Sequence, residues 1–107
     1  NKPKELQGIV TKVEWTNPHV WIYLNVRDEE SGEVTNWGAE LGPPHGLQRR
    51  GWRRTTLAIG TPITVNGFLA RNGSPRVNAR SVTMTATVAD LVKHWMQIQA
   101  LAVGNNK

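Results

Sequence analysis

From His19 to Val26 the chain alternates without a break: Val20, Ile22, Leu24 and Val26 fall on one side, His19, Trp21, Tyr23 and Asn25 on the other. A period of two is the geometry of a strand with one buried face, and a helix cannot keep such a pattern to one side. The aliphatic side is an ordinary core face. The opposite side should meet water, yet it carries a histidine, a tryptophan and a tyrosine. Rings in a row on a solvent face point to a binding surface or an interface. A second reading also fits, in which a loop or the chain's own C-terminal helix covers them.

Around this strand the remaining elements can be placed by their punctuation. Leu6 to Trp15 is rich in β-branched residues and reads as a long first strand, with Gly8 as a bulge or bend. Asn17-Pro18 breaks the chain before the second strand, His19 to Val26. Asp28 to Gly32 is a polar hairpin connection, followed by a third strand, Val34 to Leu41, with Trp37, Ala39 and Leu41 on one face. Pro44 to Arg50 suits a short helix, since proline is tolerated in a first turn and Gly51 can end it, although Gly46 weakens it. Gly60-Thr61-Pro62 turns the chain into a fourth strand, Ile63 to Leu69. Arg71 to Pro75 is a loop with an Asn-Gly turn signal, and Val77 to Met84 is a fifth strand. The tail differs in period: Val88, Leu91, Val92, Trp95, Ile98 and Ala102 recur at helical spacing, which predicts a helix over Val88 to Val103. Thr87 and Asp90 resemble a capping box at its start, and Gly104-Asn105 can end it.

This order predicts an all-β protein with minor helix: a five-stranded, partly open OB-like barrel over residues 1–86, with a short helix between strands three and four. A C-terminal amphipathic helix over residues 87–104 packs on the barrel or on a partner. Other small barrels, such as SH3-like ones, share much of the pattern. OB-folds bind ligands on the outer face of strands two and three, flanked by the loops joining strands one to two and four to five. That geography would gather Asn17, His19, Trp21, Tyr23, Arg71 and Arg76. Whether Trp37 and Trp52 are core or surface is left open by pattern alone.

Composition limits the chemistry. A chain of 107 residues makes one domain with a single modest core, and it has no apolar run long enough to cross a bilayer. Cysteine is absent, which excludes disulfides, thiolate metal sites and a cysteine nucleophile. The net charge is +5, and eight of the thirteen cationic residues are arginine. Arg49, Arg50, Arg53 and Arg54 form a basic patch around Gly51-Trp52, which serves either as an anion site or as a solvated surface. No nucleophile elbow, phosphate-binding loop, dinucleotide fingerprint or HExxH is present, and half of the acids crowd one hairpin, so no enzyme is expected. His19, His45 and His94 are far apart and lack ligand spacing, so neither a metal nor another cofactor is expected.

Four segments carry a resemblance: GIVTKVEWTNPHVWIYLNV (Gly8 to Val26), VTNWGAELGPP (Val34 to Pro44), LQRRGW (Leu47 to Trp52) and NGSPRVNARSVT (Asn72 to Thr83). With these the chain resembles a bacterial family of small secreted domains of unknown function, marked by NPHVW and RRGW. The resemblance implies a cleaved signal peptide and a periplasmic location, which agrees with a chain that begins at Asn1 and reads as a processed or trimmed product. It implies no catalytic residues. His45-Gly46 departs from the Asn-Ala that members often carry there, and the tail from Val88 to Lys107 runs past the domain's usual end.

The expectation is a non-enzymatic, exported binding or accessory module. Its aromatic face would bind a small molecule or a protein segment with anionic and flat parts, Trp21 and Tyr23 stacking, His19 and Asn17 hydrogen-bonding, and Arg71 and Arg76 supplying charge. An alternative is single-stranded nucleic acid or another polyanion, since rings interleaved with arginine on a basic barrel suit it. A further alternative is an oligomer or larger assembly docked through Trp95, Met96, Ile98 and Leu101 of the tail.

Overall fold

The computed structural model describes residues 2–84, which form five strands and one helix. The strands are β1 (Pro3–Glu14), β2 (Trp21–Arg27), β3 (Val34–Glu40), β4 (Pro62–Leu69) and β5 (Arg76–Met84), and helix α1 (Pro44–Arg49) lies between β3 and β4. The C-terminal helix expected over Val88 to Val103, with Trp95 and its neighbours, lies outside the described residues.

The strands close into a barrel in the order β1-β2-β3-β5-β4. All neighbours are antiparallel except β3 and β5, which run parallel through only three register pairs, Gly38–Arg76, Ala39–Val77 and Glu40–Asn78. The barrel expected to be partly open is therefore closed, by a short seam of backbone pairing. Past Glu40 the two strands part, and Leu41, Leu47 of α1 and Trp52 line the space between them.

The aliphatic positions of β2 point inward as the alternation requires: Val20, Ile22 and Leu24 are buried and Val26 packs on the core. Leu6 and Val10 of β1, Ala39 of β3, Ile63 and Val65 of β4, Val77 of β5 and the loop residue Leu57 complete the core cluster. Each fully buried aliphatic side chain contributes about 1.5–3 kcal/mol. Trp37 and Trp52 are both partly buried and pack against this cluster, so neither is a free surface ring.

Two details differ from the expectation. The irregularity in β1 falls between Val10 and Lys12, not at Gly8. Gly8 instead sits where β1 crosses from β4 to β2: a side chain there would run into the backbone carbonyl of Asn25. Strand β2 begins at Trp21 rather than His19. Val20 nonetheless donates to the Gly42 carbonyl and accepts from the Leu41 N–H, which extends the β2–β3 contact.

Helix α1 matches its expected position. Pro44 stands in its first turn, Leu47 is its buried anchor, and Gly51 at φ +91° turns the chain away after it. No helix among the described residues is long and apolar enough to cross a membrane.

Candidate binding face

Because β2 alternates, Trp21, Tyr23 and Asn25 all stand on the outside of the barrel. Across the β2–β3 ladder they meet Glu40, Gly38 and Asn36 respectively. The middle partner has no side chain, and the rings of Trp21 and Tyr23 lie over it. A Cβ on Gly38 would stand 3.2 Å from the Tyr23 ring and 3.4 Å from the Trp21 ring. The two rings are nearly parallel, 16° apart in plane with centroids separated by 6.1 Å, and each is half-buried. Gly38 thus leaves room beside it for both aromatic side chains.

A cation stands over each of these rings. Arg76 is the β5 neighbour of Gly38, and its guanidinium stands 5.4 Å from the Trp21 ring centroid. Lys12 reaches over Tyr23, with Nζ 5.7 Å from the ring centroid, and pairs with Glu14 at 3.1 Å. The Tyr23 hydroxyl donates to Glu14 Oε1 at 2.9 Å. Hydrogen bonds from Lys12 and Tyr23 hold the Glu14 carboxyl below its usual range. Partial burial, and then the bond to Glu14, push the Tyr23 phenol above its ordinary value. Below the ring pair, Asn36 donates to both Asn25 and Thr11, a polar clasp across three strands.

His19 lies at the other edge. Its Nδ1 donates to Glu40 Oε2 at 2.8 Å, which fixes the imidazole against β3. Beyond this pair a shallow cleft of about 510 Å³ opens, lined by His19, Glu40, Phe68, Asn78 and Arg80 among others. The Arg80 guanidinium stands 5.3 Å from the Phe68 ring centroid, a second pairing of aromatic ring and arginine.

The structure therefore brings together His19, Trp21, Tyr23 and Arg76. Asn17 is exposed in the β1–β2 loop and makes no hydrogen bond to the ring pair. Arg71 is exposed on the β4–β5 loop and lines a separate hollow with Lys2, Leu69, Ala70 and Gly73. Arg49, Arg50, Arg53 and Arg54 are all exposed around the end of α1. Only Arg50 of these four borders the hollow that also holds Trp52 and Arg80.

Glu40, Phe68, Asn78 and Arg80 were not anticipated as part of this face. Parity could have found all four. With Ile63 and Val65 inward, Phe68 falls on the outer side of β4; with Val77 inward, Asn78 and Arg80 fall on the outer side of β5; and with Ala39 inward, Glu40 falls on the outer side of β3. Among the described residues no group of three or more histidine or carboxylate side chains stands close enough to hold a metal.

A family model described as a family of unknown function (DUF6152) matches residues 1–80. No curated protein matches the chain. Solved structures share the fold at low identity. A mitochondrial single-stranded DNA-binding protein from Saccharomyces cerevisiae, Rim1, aligns with a TM-score of 0.61 at 6% identity, covering 80% of this chain and 95% of that one. The small single-stranded DNA-binding protein of Streptomyces coelicolor aligns with a TM-score of 0.57 at 19% identity, covering 79% and 94%. A chain of the Stn1–Ten1 complex from Schizosaccharomyces pombe aligns with a TM-score of 0.60 at 14% identity, covering 97% and 73%. Identities this low establish an OB-like barrel and nothing more specific.

Proposed function

We propose that this chain, which belongs to the DUF6152 family, is a non-enzymatic binding module that takes a flat-ringed, anionic ligand on the outer face of β2 and β3. The observation that carries the reading is the near-parallel ring pair beside Gly38, with Arg76 over Trp21 and Lys12 over Tyr23. A flat ligand ring would stack on Trp21 or Tyr23, and its anionic group would meet the Arg76 fork, which suits phosphate and carboxylate. The surroundings offer two rings, two cations and hydrogen-bonding groups in His19 and Glu40, a set that suits recognition of a ring-bearing anion. Periplasmic export belongs to the same proposal and rests on the family resemblance; cell fractionation tests it.

A second reading has single-stranded nucleic acid as the ligand. It is favoured by the additional Phe68–Arg80 pairing in the cleft that His19 and Glu40 also line, and the similar solved structures include single-stranded DNA-binding proteins.

The test is an amide-resolved NMR screen against ring-bearing anions: nucleoside monophosphates, flavin mononucleotide and aromatic carboxylates. Shifts clustered on Trp21, Tyr23, Gly38 and Arg76 support the reading. Silence across the panel, or a cluster elsewhere on the barrel, rejects it.

A further inference from the structure

Four side chains occupy one transverse row of the barrel. Register pairs join Trp21 of β2 to Glu40 of β3, Glu40 to Asn78 of β5, and Asn78 to Phe68 of β4. Neighbouring strands lie about 4.8 Å apart, so three steps set the two aromatic ends roughly 14 Å apart along the surface. Each end is a ring with an arginine over it, Arg76 on Trp21 and Arg80 on Phe68. Neither arginine is held by a carboxylate among the described residues.

We infer that these are two stations of one extended site, and that the ligand is a single-stranded nucleic acid crossing the barrel from β2 to β4. This inference rests on the proposed binding face and adds its length, its second station and the class of its ligand.

The chemistry between the stations supports the choice. Glu40 offers an acceptor, Asn78 offers both donor and acceptor, and the His19 Nε2 edge is left to the cleft because Nδ1 is engaged by Glu40. Such groups match the hydrogen-bonding edges of bases. A phosphate would avoid Glu40 and settle on the flanking arginines. Ring faces, base-edge partners and outlying cations thus recur in the order that a strand with stacked bases and an external backbone presents them. An acidic peptide would have no use for a carboxylate in the middle of its path. A single small ring covers one station and leaves the other empty. One strand of a duplex rises about 3.4 Å per nucleotide, so about four stacked nucleotides, or fewer when stretched, bridge the row.

The path also continues. The cleft shares Leu41, Gly42, Ala79 and Arg80 with the hollow that holds Arg50 and Trp52. Arg80 therefore stands between the second station and the basic segment after α1, which gives a longer strand further cations to meet.

Calorimetry with thymidine monophosphate and with dT2, dT4 and dT8 tests the inference on the full chain. Affinity should rise with length until both stations are filled, by about 5- to 140-fold for each stacked base. Phe68→Leu keeps apolar bulk but removes the ring, and Arg80→Ser changes only an exposed side chain. Each should weaken dT8 by at least severalfold and shrink the gain in affinity from the monophosphate to dT8. Equal affinity for all lengths, or dT8 binding untouched in both variants, overturns the second station while leaving the first intact. Trp21→Ala without effect on any probe rejects the binding face itself. Length-dependent binding of an alternating Asp-Trp peptide, with none of oligothymidine, overturns the ligand class.

Discussion

Tyr23 faces Gly38 across the β2–β3 ladder, and its ring occupies the space that any side chain at position 38 would need. Gly38→Ala therefore sets two effects against each other. Alanine removes backbone freedom from the unfolded chain, yet its Cβ lies tight against two rings. The rings are half-exposed and can tilt, so stability should change by no more than about 1 kcal/mol. The arrangement of the ring pair is what suffers. Denaturant melts should show little change while affinity for a ring-bearing probe falls severalfold.

Trp21→Ala separates core from site in the same way. Trp21 lies outside the buried cluster, so its loss should cost about 1 kcal/mol or less, against about 3–5 kcal/mol for a buried tryptophan. Binding should fall far more than stability. A cooperative loss of the fold on this substitution would show that Trp21 is structural.

Gly8→Ala should behave oppositely. Its Cβ would meet the Asn25 carbonyl, which is backbone in a central ladder and cannot rotate aside. A cost of about 1–3 kcal/mol is expected, read as a lower denaturation midpoint with the slope unchanged.

Glu14, held by Lys12 and then Tyr23, and Tyr23, partly buried and bonded to Glu14, predict two pH effects of opposite sign. Glu14 titrates lower in the fold than its ordinary 4.5, so it stabilises the fold above that pH, and the contribution disappears as pH falls through the folded value. Tyr23 titrates above 10.0, so its contribution is complete below pH 10.0 and is lost as pH rises through the folded value. Tyr23 is the chain's single tyrosine, so tyrosinate absorbance reads it alone. Glu14→Gln should bring that titration down only partway, because burial is the larger cause, and should flatten the acid limb of stability below pH 4.5.

Salt should report the arginines. For a single strand the slope of log affinity against log salt changes by about 0.7 for each phosphate neutralised. Arg76→Ser and Arg80→Ser should each make the dT8 slope shallower by about that amount. Slopes that stay at the wild-type value would mean that neither arginine meets a phosphate.

Strict alternation made the inner and outer faces of β2 legible from sequence, and with them the aromatic pair. The turn residues likewise bounded the helix and the strands to within a few positions. What alternation could not show is which residues of distant strands stand side by side. Trp21 and Phe68 are aligned only because β3 pairs with β5 in parallel and β5 pairs with β4, a register set by barrel closure and by the irregularity between Asn66 and Gly67. The placement of the strand-one bulge failed for a related reason. Glycine marks either a bulge or a close backbone approach, and only the packed partner, here Asn25, tells which.

The three register pairs that close the barrel are Gly38–Arg76, Ala39–Val77 and Glu40–Asn78. Two of them carry Gly38, the cation and the polar middle of the binding face. The seam of the cylinder and the proposed recognition surface are thus one object, and a molecule lying across it would act as a clasp. Whatever binds there favours the closed cylinder over any form in which β3 and β5 separate. Amide hydrogens along that seam should therefore exchange more slowly with the surface occupied, which makes barrel closure itself a reporter of occupancy.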